Sequence, residues 1–517
     1  MALTRRKFVA SAAACGAFTL FGCSNSSNET KNSGSEKSIK DTNQVKSEKL
    51  ETDVVVVGSG LAGMSTAASA VQNGLKVILI EKGGVLAPSF FTSKGNISLA
   101  QVPENKDFWA FETEPDTMNA FIERYANVTE IGSRNVPYPD YERVKPLMLE
   151  SCKTVSWLED KLGMDFEKSF VWPQAATDTV KPSKSMMGEM QAGQAVAKKF
   201  EDYFNANGIK VLLNTSVTEL ITDNKKVKGI IAESEDSKYN VTANKVVLAC
   251  GGYGANEKFI NKLLPKIKKF DFHYLGNDLN TGDGIKLVED LEVSLYEDNW
   301  LIPFIIKPHK DLLEKNQDFN KLIKFGIEAE SFASKILLNS QGERFVNEAA
   351  LDQELTTRMV DSDAGPYYML YSSDNAEVCK ILDSALDSKH LIKGESIDEL
   401  QKLANMPALV QTVNSYLSFI EKNNDDDFKK PADKLKDLGA APYYLVEYNP
   451  SYVTTLGGIE VNENYSVLDK DKNPISGLYA VGELSHRYLY NRSFVRNCSN
   501  SIALTSGRIL GENLSKL

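Results

Sequence analysis

Residues 53–81 combine two uninterrupted apolar runs with a glycine-rich segment between them. Residues 54–57 are all valine, which is typical of a strand buried on both faces of a sheet. Residues 76–80 predict the next strand, and the segment between the two runs predicts a helix. The pattern is strand, turn, helix, strand, which begins a parallel α/β sheet.

The turn between this strand and helix contains glycines in the spacing G-x-G-x-x-G. Gly58 allows the tight turn, Gly60 lets the backbone approach a pyrophosphate, and Gly63 lets the helix pack on the sheet. The free amides at the start of the helix then face the phosphates. Glu81 ends the second strand, where a carboxylate can accept hydrogen bonds from a ribose. These features predict dinucleotide binding; an ordinary glycine-rich turn is the alternative.

The later pattern predicts a discontinuous nucleotide domain. The apolar stripe of residues 146–162 predicts a helix with Pro146 in its first turn position. Further strands are predicted at 210–214, 227–232, 239–243 and 246–250. Residues 305–450 have more lysine and aspartate, few glycines and amphipathic stretches such as 395–422, and glycine-dense sequence resumes at 456. We therefore predict an α/β fold in which a Rossmann-like domain, residues 51–304 and 451–517, carries an inserted α+β capping domain, residues 305–450.

The first 50 residues predict an export signal and a tether. Arg5 and Arg6 form a twin-arginine pattern before an apolar stretch that is too short to span a bilayer. Residues 20–23 resemble a lipoprotein cleavage site, so residues 1–22 are predicted to be the signal and Cys23 the acylated first residue. Residues 23–50, which lack aromatics, predict a flexible tether. We expect an exported, cell-surface or periplasmic protein held to the membrane by a lipid anchor only; a buried N-terminal helix is the alternative.

Composition excludes several classes of protein. The 517 residues predict two or three domains, and the net charge of −11 argues against a nucleic-acid partner. The six cysteines form no C-x-x-C pair, so neither an iron–sulfur site nor an attached c-type haem is expected. None of the four histidines has a metal-ligand spacing, and no metal is predicted.

Seven segments in one order carry a family resemblance. They are G-S-G-L-A-G at 58–63, K-G-N-I at 94–97, V-V-L-A-C-G-G-Y-G-A-N at 246–256, T-G-D-G at 281–284, G-E-R-F-V-N-E at 342–348, T-L-G-G at 455–458 and G-L-Y-A-V-G-E at 477–483. The chain resembles the flavoprotein subunits of fumarate reductase and succinate dehydrogenase, closest to the soluble periplasmic fumarate reductases. The resemblance implies FAD, a mobile capping domain and an active site between the two domains.

The resemblance also implies a set of cofactor-binding residues: Gly58, Gly60, Gly63, Glu81, Lys94, Gly95, Val217, Gly252, Asp283, Glu483, Asn500 and Ser501. Membrane-bound relatives attach FAD through a histidine shortly before the position of Lys94. Residues 89–92 contain no histidine here, so we expect FAD to be noncovalent.

The implied chemistry is reduction of an electron-poor C=C bond by a hydride from the flavin. The resemblance implies that Arg358, in a T-T-R sequence, donates the proton and that Glu328 belongs to its proton relay. It implies that Arg496 binds a substrate carboxylate, with Arg492 as the alternative. Because the chain has no haem motif, electrons are expected from an external cytochrome or quinol module.

Departures from the family pattern argue against fumarate itself. Thr454 and Ile302 stand at or near positions where the family has histidines that bind a dicarboxylate. Losing such contacts would leave substrate charge unpaired. We therefore expect an unsaturated organic acid or an enone that is larger or less charged than fumarate, with Thr454 and Tyr452 near it. His486, close in sequence to Glu483, is either a substrate contact or a surface histidine.

Two other functions remain open at this point. One is an FAD-dependent dehydrogenase that desaturates a ketone, as the similar 3-ketosteroid dehydrogenases do, with Tyr452 and Tyr488 as candidate catalytic residues. The other is a flavin-binding lipoprotein without catalysis. An inserted cap argues against the second, because a carrier needs no domain that closes over the flavin.

Overall fold

The computed structural model describes residues 46–517 except 92, 94, 112–116, 130–135, 173–176, 268–271, 323–334, 363–364 and 496. The predicted signal, residues 1–22, lies outside the described residues, as does the predicted tether up to residue 45. In the described part of the chain, no helix has the length and apolar character needed to cross a membrane.

The strands are β1 (Lys46–Val57), β2 (Val77–Ile80), β3 (Ile97–Ala100), β4 (Phe166–Trp172), β5 (Thr177–Pro182), β6 (Lys210–Leu212), β7 (Ser216–Asp223), β8 (Lys226–Glu233), β9 (Ser237–Leu248), β10 (His273–Tyr274), β11 (Trp300–Pro308), β12 (Leu337–Leu338), β13 (Tyr367–Tyr371), β14 (Leu391–Gly394), β15 (Tyr443–Leu456), β16 (Ser466–Leu468) and β17 (Pro474–Ala480). The α-helices are α1 (Leu61–Gln72), α2 (Met118–Thr129), α3 (Tyr141–Leu162), α4 (Lys184–Met187), α5 (Ala192–Ala206), α6 (Glu257–Leu263), α7 (Asp283–Leu287), α8 (Lys310–Lys315), α9 (Asp352–Ser362), α10 (Ala376–Asp383), α11 (Ile397–Ala404), α12 (Leu409–Lys422) and α13 (Cys498–Asn513).

One sheet of the fold has eight strands. Its strand order is β16-β17-β9-β1-β2-β6, and β8 and β7 continue from β9. β1 is parallel to both β2 and β9, with Val55 opposite Ile78 and Val246. All four valines of residues 54–57 are buried, and β1 lies between β9 and β2. The prediction of a strand buried on both faces of a sheet is therefore confirmed.

Two boundaries differ from the sequence prediction. β1 begins at Lys46, because Lys46 to Thr52 pair with Ser237 to Ala243 of β9. The last five residues of the predicted 23–50 tether are therefore part of the sheet. α3 begins at Tyr141, because the Asp140 side chain accepts hydrogen bonds from the first free amides. Pro146 consequently lies inside this helix and not at its first position.

The closing helix α13 packs on α1 and completes the nucleotide domain. Ser65 and Ser69 of α1 donate hydrogen bonds to the Leu504 and Arg508 carbonyls at 2.7 and 2.8 Å. A Cβ on Gly507 would overlap the α1 backbone, so glycine is needed for this close approach. The first and last segments of the domain are thereby held together.

A six-stranded sheet contains the strands of residues 300–456 together with β10. Its central strand β15 pairs with β11 and β14 along one edge and with β13 and β10 along the other. Residues from Ile306 to Tyr448 contribute to two hydrophobic clusters separate from the large cluster of the nucleotide domain. The antiparallel pair β11 and β15 leads into and out of this region. A third sheet, β3-β5-β4, has three strands.

Candidate active site

The three glycines of the first turn have different surroundings. Gly58 has a φ of +102°, and a Cβ there would overlap the Ala249 carbonyl oxygen. A Cβ on Gly63 would overlap the Gly58 carbonyl oxygen. In the described part of the chain, no heavy atom other than those of its neighbours in sequence lies within 4 Å of a Cβ built on Gly60. Gly60 therefore leaves room for an outside group, as a pyrophosphate requires.

Glu81 is tied to this turn. Its Oε2 atom accepts hydrogen bonds from the Ser59 amide and hydroxyl at 2.8 and 2.7 Å, and Oε1 accepts from the Gly83 amide at 2.7 Å. The carboxylate is 5% exposed and lines a cavity. It thus fixes the turn from the end of β2 and keeps acceptor capacity for a ribose.

The cavity has a volume of about 1110 Å³ and lies at the carboxyl ends of the parallel strands. This is where open α/β sheets bind ligands, and the volume lies at the upper end of ordinary ligand sites. The predicted site residues that line it are Gly58, Gly60, Glu81, Val217, Asp283, Thr454, Glu483 and Asn500. The residues present therefore fit an elongated dinucleotide.

Other predicted residues lie behind the lining. Gly252 supports Glu483, because a Cβ at residue 252 would overlap Glu483 Oε1. Gly95 has a φ of +70° and packs against Ala192. Ser501 is buried, and its hydroxyl has no hydrogen-bond partner among the described residues.

The pKa values of two lining carboxylates are shifted in opposite directions. Lys82 donates to Asp283 at 2.5 Å and, although burial opposes it, this hydrogen bond lowers the pKa of Asp283. Glu483 accepts from the Thr455 amide and hydroxyl at 2.9 and 3.0 Å. Burial raises the pKa of Glu483 despite these hydrogen bonds. The two acids therefore differ in how readily they give up a proton.

β11 and the described residues from 482 to 503 form another part of the cavity lining. Asn500 donates to the Asn96 carbonyl at 2.8 Å there. This part of the lining mixes apolar side chains, such as Ile302, Leu489 and Phe494, with polar ones, such as His486 and Asn500. Its described residues include no lysine or arginine, which leaves few partners for a second substrate charge.

His486 is a lining residue whose role the sequence left open. It is 5% exposed, and its Nε2 atom lies 3.4 Å from the Ser506 hydroxyl. Burial, together with the positive charge of Arg143, lowers its pKa to about 3. The ring is therefore neutral and faces the cavity. Its closeness to Glu483 in sequence was the signal that could have identified it.

Arg492 is buried beside the cavity and does not line it. Its Nη2 atom donates to Asp298 at 3.1 Å, and the guanidinium lies 4.4 Å from the Trp300 ring centroid. Nε and Nη1 have no hydrogen-bond partner among the described residues. Arg487 shares the same Asp298 carboxylate at 2.7 Å.

Arg358 lies on α9, which borders the same loop. The preceding Thr357 is buried and donates to the Arg492 carbonyl at 3.4 Å. The Arg358 side chain is 48% exposed, and Nε lies 3.8 Å from Glu354. It does not line the cavity, so its role as proton donor stays a prediction.

The two candidate tyrosines also lie outside the lining. Tyr452 donates to the Gly254 carbonyl at 2.7 Å, and burial raises its pKa to about 12. The Tyr488 ring is covered by the Arg143 guanidinium at 3.7 Å. Lys94, Glu328 and Arg496 lie outside the described residues.

Comparisons with known proteins agree with this site. Residues 53–502 match the FAD binding domain family. The chain is 28% identical over 477 residues to the probable fumarate reductase Ifc3 of Shewanella frigidimarina, covering 90% of this chain and 75% of that protein. It is 28% identical over 486 residues to the urocanate reductase of Eggerthella lenta, with the same coverages of 90% and 75%.

Solved structures share the architecture. The open conformation of a flavocytochrome c3 fumarate reductase matches with a TM-score of 0.63 at 25% identity, over 90% of this chain and 78% of that one. A 3-ketosteroid-Δ4-(5α)-dehydrogenase from Rhodococcus jostii RHA1 matches with a TM-score of 0.68 at 19% identity, over 90% and 97% of the chains, which shows the fold alone.

The chain belongs to this family of FAD-binding proteins. The Rossmann-like fold and the resemblance to fumarate reductase flavoproteins are confirmed. The protein is an FAD-dependent oxidoreductase of the fumarate reductase type.

Proposed function

We propose that the protein reduces the C=C bond of an unsaturated organic acid or enone other than fumarate. FAD, when bound, supplies the hydride. The observation that carries the proposal is one cavity whose glycine turn and Glu81 suit the dinucleotide and whose described lining from β11 and residues 482–503 includes no lysine or arginine. Fumarate and urocanate reductases among the relatives support this reaction class.

The lack of a described lysine or arginine in the lining from β11 and residues 482–503 favours a substrate with one carboxylate or none. Ile302 and Thr454 line the cavity where the family resemblance leads one to expect histidines. Thr454 lines the cavity, where its hydroxyl can serve one substrate oxygen. Arg492, with two unused donors, and Arg496 remain the candidates for binding a single carboxylate.

Arg358 is the proposed proton donor, with Glu328 in its relay. The half-exposed Arg358 side chain suits an open arrangement, in which residues 305–450 act as a cap that has not closed on the cavity. The solved relative at 25% identity is itself an open conformation, which supports this interpretation. Closure would bring α9 toward the flavin-binding part of the cavity and exclude water.

Arg358→Gln tests the reductase mechanism directly. Anaerobic oxidation of reduced viologen is measured against fumarate, urocanate, methacrylate, cinnamates and steroid enones. Removing a general acid should lower kcat by about 10²–10⁴-fold while FAD stays bound. Glu354→Gln, which removes only the nearby carboxylate, is the matched control. An unchanged rate in Arg358→Gln excludes this residue as the acid, and preference for fumarate excludes the proposed substrate class.

The dehydrogenase alternative has less support. A catalytic base must reach the substrate, whereas the Tyr452 hydroxyl donates to a backbone carbonyl and its pKa of about 12 opposes ionisation. The assay measures reduction of a dye by a saturated ketone. Activity that is lost in Tyr452→Phe and kept in Arg358→Gln would favour the dehydrogenase.

The remaining proposals concern attachment and electron supply. We expect FAD to be noncovalent, which acid precipitation tests, because released flavin stays in the supernatant. The twin-arginine signal and an acylated Cys23 would place the enzyme outside the cytoplasmic membrane, served by an external cytochrome or quinol module. Cys23→Ser should release the exported protein from membranes if the lipid anchor exists.

A further inference from the structure

Two histidines from distant parts of the sequence meet on one edge of the six-stranded sheet. β11 ends at Pro308 opposite Tyr448, and β14 begins at Leu391 opposite Val446. His309 directly follows Pro308, and His390 directly precedes Leu391. Both histidines therefore lie beside Glu447, the residue between Val446 and Tyr448. The His309 amide donates to the Glu447 carbonyl at 2.9 Å, and the Glu447 amide donates to the His390 carbonyl at 2.9 Å.

Carboxylates face both ring nitrogens of His390. Nδ1 lies 2.7 Å from Glu447 Oε2, and Nε2 lies 3.0 Å from Asp311 Oδ2. A neutral imidazole carries one proton, so it can donate to only one of these oxygens. With the proton on Nδ1 and held by Glu447, the Nε2 lone pair points toward Asp311. A carboxylate that orients a histidine in this way is typical of metal sites.

His309 brings a second imidazole to the same place. Its ring stacks on that of His390 with 3.4 Å between centroids and 9° between planes. His309 Nδ1 lies 3.7 Å from Asp311 Oδ1. One ligand atom each from His309, Asp311 and His390 lie within 4.8 Å of one another. Ligand atoms around a tetrahedral zinc ion are about 3.3 Å apart. This distance falls between the 3.0 Å from His390 to Asp311 and the 3.7 Å from His309 to Asp311.

We propose that His309, Asp311 and His390 bind a divalent transition-metal ion of the zinc class, with Glu447 orienting His390. Two imidazoles and a carboxylate favour zinc, nickel or copper over magnesium. Binding requires the His309 ring to turn out of the stack so that both lone pairs meet the ion, and it gives up the 3.2 Å hydrogen bond from the Asp311 amide to His309 Nδ1. Asp311 is 48% exposed while both histidines are under a tenth exposed, so the ion would enter past Asp311.

Zinc retention by the FAD-loaded protein tests the site. After equilibrium dialysis against micromolar ZnCl₂, metal is counted per flavin by mass spectrometry. The wild type should retain one more zinc than His309→Gln/His390→Gln, and excess Mg²⁺ should not displace it. His273→Gln is the matched control and should retain the zinc. Zinc bound to cysteine would be unaffected by all these histidine variants.

Two further variants guard against misfolding. Asp311→Asn changes a half-exposed residue and should lose the zinc while keeping FAD. Glu447→Gln should keep the site but weaken zinc binding by about 10–100-fold, as loss of an orienting carboxylate does. Equal zinc retention by the wild type, Asp311→Asn and the double variant would overturn the proposal. In that case, His390 would be a structural link between the two carboxylates of Glu447 and Asp311.

Discussion

Gly252 and Glu483 are in direct contact across the cavity wall. The backbone of Gly252 lies so close to the Glu483 carboxylate that a Cβ on residue 252 would overlap Oε1. The same Oε1 atom accepts two hydrogen bonds from Thr455, whose hydroxyl also lies close to Gly252. The acid is therefore fixed by a glycine turn after β9 and by the end of β15, two segments some 200 residues apart in sequence.

Gly252→Ala should displace Glu483 and weaken FAD binding. Overpacking of this kind costs about 1–3 kcal/mol, and the same free energy taken from binding corresponds to an affinity about 5-fold to 150-fold lower. Quenching of flavin fluorescence during titration measures this. Gly208→Ala, at a position with open space around it, is the control for backbone strain alone and should leave the affinity unchanged. Unchanged FAD affinity in Gly252→Ala would contradict the proposed role of this contact.

Gly60→Ala and Gly63→Ala should separate binding from folding. A methyl group at Gly60 meets open space in the protein but occupies the approach to the pyrophosphate, so FAD affinity should fall by tenfold or more with stability nearly unchanged. A methyl group at Gly63 overlaps the Gly58 carbonyl, so unfolding in urea should occur at lower concentration. Lower stability with unchanged FAD affinity in Gly60→Ala would show that the turn does not hold the pyrophosphate.

The sequence predicted the parts of this site that depend on local pattern. The valines of residues 54–57, the glycine spacing and Glu81 identify the strand, the turn and the cavity, because each depends on residues within about 30 positions. The start of β1 at Lys46 was missed because polar residues are held there only by pairing with β9. The start of α3 was missed because Asp140 supplies the cap six residues before the apolar stripe of residues 146–162.

The contacts between distant segments could not be predicted from spacing. His309 and His390 are brought together by β15, which lies more than 50 residues beyond either histidine. Nothing in the sequence near either histidine indicates the other. The burial of His486 likewise depends on the closing helix α13, whose Ser506 lies beside its ring.

Glu483→Gln should remove a pH dependence of stability. Because burial raises the pKa of Glu483, the folded protein holds this proton at pH values where the unfolded chain has released it. Its contribution to stability is therefore fully present below the ordinary glutamate pKa and is lost as the pH rises through the raised value. Urea unfolding of the FAD-bound protein between pH 4 and 7 should show this loss in the wild type but not in Glu483→Gln. Glu142→Gln, which changes an exposed carboxylate, should behave as the wild type does.

His486→Gln should remove a pH dependence of the opposite sign. The folded pKa of about 3 lies below the ordinary histidine value, so the unfolded chain binds a proton that the buried ring does not. The stability from this ring is fully present above about pH 6.5 and is lost as the pH falls toward 3; at pH 5 the loss is about 2 kcal/mol. Urea unfolding at pH 7 and pH 5, with excess FAD, should show a smaller difference in His486→Gln than in the wild type. His273→Gln is the control and should keep the wild-type difference. An equal difference in all three proteins would mean that His486 is protonated in the folded state, and it would then present a positive charge to the cavity, where a substrate carboxylate could pair with it.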